Sequence, residues 1–122
     1  MHKTIFYKDD DGNEPVRKYI ENLLLRPSKD GKIKYNKIRD YIVLLEERGL
    51  TLGEPYVKHI QNTSLWELRP LRDRIFFAVW DDDRFILLHQ FMKKTKKTPQ
   101  KEIDIAKNRF DKAREEFKKY EE

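Results

Sequence analysis

The chain of 122 residues contains no cysteine. That absence excludes disulfides, thiol nucleophiles and cysteine-ligated zinc, and it fits a reducing compartment. Histidine is nearly as scarce. His2, His59 and His89 lie far apart, without metal-ligand spacing, so neither a metal nor another cofactor is expected. No apolar run approaches the roughly 18 residues that cross a bilayer, and the first residues lack the apolar stretch of a signal peptide. A cytoplasmic protein without a membrane partner is therefore expected. Repeats and low-complexity linkers are missing too, so residues 1–122 read as a single domain. Among chemical motifs, the chain has no Ser-His-Asp set, glycine-rich phosphate loop or carboxylate pair.

Charge is abundant instead. Lys, Arg, Asp and Glu make up 40% of the residues, which demands a densely ionic surface. The net charge of +5 is concentrated. Between Val57 and Lys101 there are ten basic residues against five acids, whereas the rest of the chain carries seventeen of each sign. A local positive excess points towards a polyanion, most simply nucleic acid, with a plain solubilising surface as the alternative.

The hydrophobic pattern predicts the elements. Lys3–Tyr7 is β-like and suited to open a sheet. The run Asp9-Asp10-Asp11-Gly12-Asn13 reads as a turn, since it lacks the later ligands and closing Glu of a calcium loop. Asn13 or Glu14 caps a helix with Pro15 in its first turn. Val16, Tyr19, Ile20, Leu23 and Leu24 form its apolar face, and Arg26-Pro27-Ser28 ends it. A second helix is expected over 29–48, with Ile33, Ile38, Tyr41, Ile42 and Leu45 inward and Gly49 as a left-handed cap. Val57–Ile60 alternates enough for a short strand. Strands then follow over 65–69, 74–80 and 85–92, the last apolar enough to be buried on both faces. Their short connections, including Asp81-Asp82-Asp83, favour a meander. Thr98 suits an N-cap and Pro99 the first helical position. Ile103, Ala106, Phe110, Ala113, Phe117 and Tyr120 make one stripe on a long final helix. That stripe fits docking on the chain's own sheet or on a partner, and the pattern does not choose. The expected class is α+β: a small antiparallel, mostly meander sheet packed by an N-terminal α-hairpin, with a long C-terminal helix.

The meander has a consequence for the cations. The exit of its first strand, the entrance of its second and the exit of its third lie at one end of the sheet. Arg69, Arg74, Lys93 and Lys94 can converge there, with Lys58 and His59 arriving from the preceding segment. Arg72, Lys96 and Lys97 add phosphate-binding charge nearby. Guanidinium groups bind phosphate bidentately and stay charged. When an RNA phosphodiester is cut by its own 2′-hydroxyl, negative charge grows on the phosphorus-bound oxygens, and fixed cations stabilise that transition state. His59, or a lysine with a lowered pKa, suits proton transfer. Plainer readings stand beside these: Arg69 and Arg74 pairing with Glu67 and Asp73, the lysine run as a solvated exit, His59 as a surface histidine. His89 reads as a packed, hydrogen-bonded strand residue, and Trp66 and Trp80 as core, with base stacking the alternative for Trp80.

The run LWELRP…RIFFAVWDDDRFILLHQFMKKTKKTPQKEIDIAKNR, within a match that covers 57–109, resembles the phage-derived HigB-like branch of the RelE superfamily of toxins. The branch pattern is an LWELR strand, an arginine-led apolar strand, then LLH-x-F-x-KKT-x-KTP-x-x-E-I-x-x-A. The resemblance implies a RelE-like fold and a type II toxin that cleaves mRNA without a metal, usually on the ribosome. It implies neutralisation by a HigA-type helix-turn-helix antitoxin, through which the pair would meet DNA. Carried over by position, Arg69 is the basic residue ending the ELR strand and Arg74 opens the next. Lys93 and Lys94 match the cationic end of the last strand, and Lys58 and His59 fall where related toxins bring Lys or His. Several relatives carry a C-terminal tyrosine that stacks on substrate. Tyr120, on a helix, is not its equivalent, so the general base stays open, with His59 and Lys58 as the candidates. The alternative function is a non-catalytic nucleic-acid or antitoxin-binding module, a degenerate toxin serving as co-repressor; a third is a structural phage protein.

Overall fold

The computed structural model describes residues 1–25 and 28–121. The strands are β1 (Lys3–Phe6), β2 (Val57–His59), β3 (Trp66–Leu68), β4 (Asp73–Asp81) and β5 (Arg84–Met92). The helices are α1 (Pro15–Leu25), α2 (Lys29–Arg48) and α3 (Gln100–Glu115), with 3₁₀ turns at Gly49–Leu52 and Phe117–Tyr120. One sheet in the order β1-β5-β4-β3-β2 lies between the α1–α2 hairpin and α3.

Strands β2 to β5 form the expected antiparallel meander. The sheet as a whole is mixed, which corrects the antiparallel expectation, because β1 pairs with β5 in parallel. The meander ends on β5 and would leave its outer backbone unpaired. β1 fills that edge, and the long intervening chain acts as the crossover that a parallel pair requires. The new outer edge is blocked in turn. The Glu46 carboxylate accepts from the Thr4 N–H (3.0 Å) and hydroxyl (2.9 Å), and the Tyr120 hydroxyl oxygen accepts from the Lys8 N–H (2.9 Å).

Each face of the sheet has its own core. Ile75, Phe77, Phe85 and Leu87 meet Val16, Leu23, Ile38 and Leu45 of the hairpin. Phe76, Ala78, Trp80, Ile86 and Leu88 meet Ala106 and Ala113 of α3. The final helix therefore docks on its own sheet. It also stops earlier than the stripe implies: the chain turns at Glu116, leaving Phe117 exposed and delivering Tyr120 into the core beside Trp80. Leu24 and Ile33, expected inward, are exposed. Each lies off the narrow stripe at which the two helices meet, marked by Gly31, where a side chain would come 2.7 Å from the Leu23 carbonyl. The expected helix end at Arg26-Pro27 lies outside the described residues. Ser28 caps α2 by accepting from the Gly31 N–H (3.0 Å), and Gly49 closes it at a positive φ of 60°.

Truncating buried Tyr120 to alanine should lower the unfolding free energy by about 3 kcal/mol, given what large aromatic deletions cost. Phe117→Ala should change it by less than about 0.5 kcal/mol, as expected for an exposed site. Urea denaturation measures both; equal losses would contradict the turn at Glu116.

Candidate functional site

The site begins with an irregularity in β5. Simple alternation along this strand would send Leu88, Gln90 and Met92 to one face. The register instead pairs Phe77 with Leu87 and Phe76 with His89, so Leu88 is an extra residue, a β-bulge. Beyond it the facing reverses. His89 and Phe91 turn towards α3, whereas Gln90 donates to Asp73 and Met92 meets Lys34 on the hairpin side. Arg109 of α3 donates to the Leu88 carbonyl at 2.8 Å, meeting a backbone acceptor beside the break in the ladder. Continued for one more residue, this facing places Lys93 on the α3 side, and its N–H extends the ladder to the Arg72 carbonyl at 2.9 Å.

α3 packs across β5 and β4. Beside it, towards β2 and β3, the same sheet face opens into a cleft of about 510 Å³. Lys58, His59, Arg69, Lys93, Lys96 and Lys97 line it, with Glu67 and Thr98 among the other walls. Six of the nine sequence-predicted residues thus meet in one place. The other three do not line it. Lys94 lines a different cleft, with Pro99 and Lys101. Arg72 projects from the β3–β4 turn, where its backbone serves the ladder. Arg74 stands behind Glu67, with its Nη1 donating to the carbonyls of Leu71 (2.8 Å) and Asp73 (2.9 Å). That clamp holds a turn in which Leu71 takes a left-handed φ of 56°.

Glu67 is the residue whose role the pattern understated. In its strand it alternates away from Trp66 and Leu68, yet it is only 1% exposed. Its Oε1 lies 3.4 Å from Arg69 Nε and 3.7 Å from Arg74 Nε, and its Oε2 accepts from the Thr98 hydroxyl at 3.3 Å. The pairing of Arg69 and Arg74 with Glu67 is therefore present alongside the clustering. Thr98 is drawn to Glu67 and does not cap α3; Pro99 occupies the cap position, and the helix begins at Gln100. Only an acid flanked by Arg69 and, five residues on from it, Arg74 hinted at this in the sequence.

Lys93 carries the most altered environment among the cleft lysines. Burial pulls its ammonium below the ordinary lysine value, Glu67 pushes it back up, and Arg69, Arg74 and Lys58 pull it down again. Burial likewise lowers Arg74, against the opposing pull of Glu67. His59 packs its ring on Trp66, and its Nε2 lies 2.9 Å from the Thr63 carbonyl. A carbonyl only accepts, so the neutral ring carries its proton on Nε2 and keeps Nδ1 as an acceptor. His89 is packed and bonded as expected, its Nε2 lying 2.8 Å from Glu102 Oε1. Trp80 is buried in the core. Among the described residues no group of three or more His, Asp or Glu side chains could hold a metal ion, and no helix is long and apolar enough to cross a membrane.

A family model described as "Phage derived protein Gp49-like (DUF891)" matches residues 29–111. The chain belongs to this Gp49-like family. The family is RelE/toxin-like. The matched span holds the whole meander and all the basic residues of the cleft in this Gp49-like chain, along with Glu67 and the bulge. No curated protein matches the sequence.

Burial lowers the pKa of His89 from its ordinary 6.5, against the opposing effect of Glu102. The unfolded chain therefore binds this proton more readily than the folded one. Stability should fall as the pH drops below about 6.5 and level off once folded His89 also protonates. Denaturation midpoints between about pH 7.5 and 5 should show a shallower slope in His89→Gln. The same slope in both proteins would remove His89 as the cause.

Proposed function

We propose that this protein is the toxin of a type II toxin–antitoxin pair, a HigB-like endoribonuclease that cleaves mRNA, on the ribosome, and is held inactive by a HigA-type helix-turn-helix antitoxin. The observation that carries the reading is the cleft itself, in which Lys58, Arg69, Lys93, Lys96 and Lys97 gather and which His59 also lines. The RelE/toxin-like family supports it.

The chemistry follows from the placement. Lys96 and Lys97, on the loop, hold the RNA backbone. Arg69 and Lys58 face the scissile phosphate and stabilise the charge that develops when the 2′-hydroxyl attacks phosphorus. One group takes the hydroxyl proton and another returns one to the leaving 5′-oxygen. We assign these transfers to His59, whose Nδ1 is left as an acceptor, and Lys93, whose burial among cations loosens its proton. The reaction draws only on these side chains and needs no metal. Arg74 acts from behind, holding the turn and adding positive potential.

Expression of the chain alone should arrest growth, and co-expression of the helix-turn-helix protein expected in the neighbouring reading frame should restore it. Arg69→Ala should cut the rate of mRNA cleavage by ribosome-bound protein about a hundredfold or more, the typical loss for one transition-state donor. It is a cleaner probe than Arg74→Ala, which also releases the Leu71 turn. A pure protein that binds ribosomes or RNA in a salt-sensitive manner yet leaves mRNA intact would replace this reading with the non-catalytic binding module.

Lys93→Arg separates charge from proton transfer. Arginine keeps the charge and does not release its proton. If Lys93 moves the proton, the variant loses most activity, and the wild-type rate has a limb titrating below the ordinary lysine range. Full activity in Lys93→Arg would leave that step to His59.

A further inference from the structure

We propose that Glu67 is a positioning residue of the cleft, whose carboxylate holds Arg69 and Arg74 in the orientation that the reaction uses. The inference rests on the nuclease reading for its catalytic consequence, though not for its geometry.

A carboxylate beneath a phosphate-binding cleft is unfavourable for binding, because it repels the ligand and partly cancels the cations. It is also expensive to bury, and such groups persist where partners surround them. Glu67 has those partners. A single oxygen, Oε1, lies within 3.4 Å of Arg69 Nε and 3.7 Å of Arg74 Nε, and Thr98 holds the other. Both arginine Nε atoms are buried and have no hydrogen-bond partner, so Glu67 is the group that their inner edges face. Arg69 is further flanked only loosely, by the exposed Glu54 at 3.7 Å. Without Glu67, the long Arg69 side chain keeps its charge and loses the contact that fixes its direction. The backbone placement of Glu67 is firm: it sits opposite Lys58 on β2 and Phe76 on β4, in the middle of a three-residue strand paired on both sides.

Positioning and binding therefore make opposite demands, and Glu67→Gln separates them. The amide has the same shape and can still accept from Thr98, but it lacks the charge. With purified full-length protein and ribosome-bound mRNA, kcat should fall about a hundredfold, the scale of a misplaced catalytic group. KM should stay the same or decrease, since a negative charge has left the cleft. The arginine Nε–Hε signals of Arg69 and Arg74, resolved by NMR in the wild type, should move towards the position of free arginine. A residue with only a structural role would lower the melting temperature and leave kcat of the folded protein unchanged. Folded Glu67→Gln with wild-type kcat and unmoved arginine signals overturns the proposal. If the variant does not fold, Thr98→Val, which releases Glu67 Oε2 alone, should show a smaller kcat loss in the same direction, and wild-type kcat there overturns the proposal equally. If the wild type cleaves no RNA, the nuclease reading fails by itself. The NMR comparison still decides whether Glu67 orders the arginines.

Discussion

The pairing of β5 with β4 is the constraint on which the rest of this protein depends. β5 is covered on both faces and paired on both edges, so each of its residues must satisfy a core, a ladder or both. The extra residue at Leu88 divides the strand. Before it, the alternation feeds two hydrophobic cores. After it, the reversed facing gives His89 to α3, Gln90 to the hairpin and Lys93 to the cleft. Arg109 of α3 donates to the backbone at the bulge. Docking of α3 and the facing of Lys93 thus meet at one irregularity of β5.

Two buried acids occupy the same end of the sheet, one on each face. Asp73 accepts from Tyr19 (2.6 Å) and Gln90 (2.9 Å), tying the hairpin to β4 and β5. Glu67 gathers Arg69, Arg74 and Thr98 on the opposite face. Both acids are 1% exposed, which is tolerable only because each is surrounded by donors. The scaffold-facing acid is satisfied by neutral groups with a lysine 3.8 Å away, whereas the cleft-facing acid is satisfied mainly by cations. The contrast fits the proposed division of labour, with one acid fastening layers and the other organising charge.

Much of the fold was legible because its elements have strong periods. α2 begins and ends where its pattern and Gly49 predict, and each meander strand lies within a residue or two of its expected span. Misreadings fell where a single side chain had two possible employers. Thr98 has the chemistry of a cap, but a buried carboxylate competes for its hydroxyl. Phe117 has the spacing of the stripe, but the helix has already ended. Parallel pairing of β1 could not be read at all, since a four-residue apolar run fits either direction and its partner is some eighty residues away.

By itself the sequence determined the element types, the meander and the gathering of basic residues at one end of it, because periodicity and short connections are local properties. It also determined that Glu67 and Arg69 share a face, since a strand alternates. Only the tertiary structure decided that Lys93, and not Lys94, lines the cleft, that Arg74 stands behind it, and that α3 turns inward. Those outcomes depend on a one-residue bulge and on helix docking, which balance the packing of both sheet faces at once. No local pattern carries that balance.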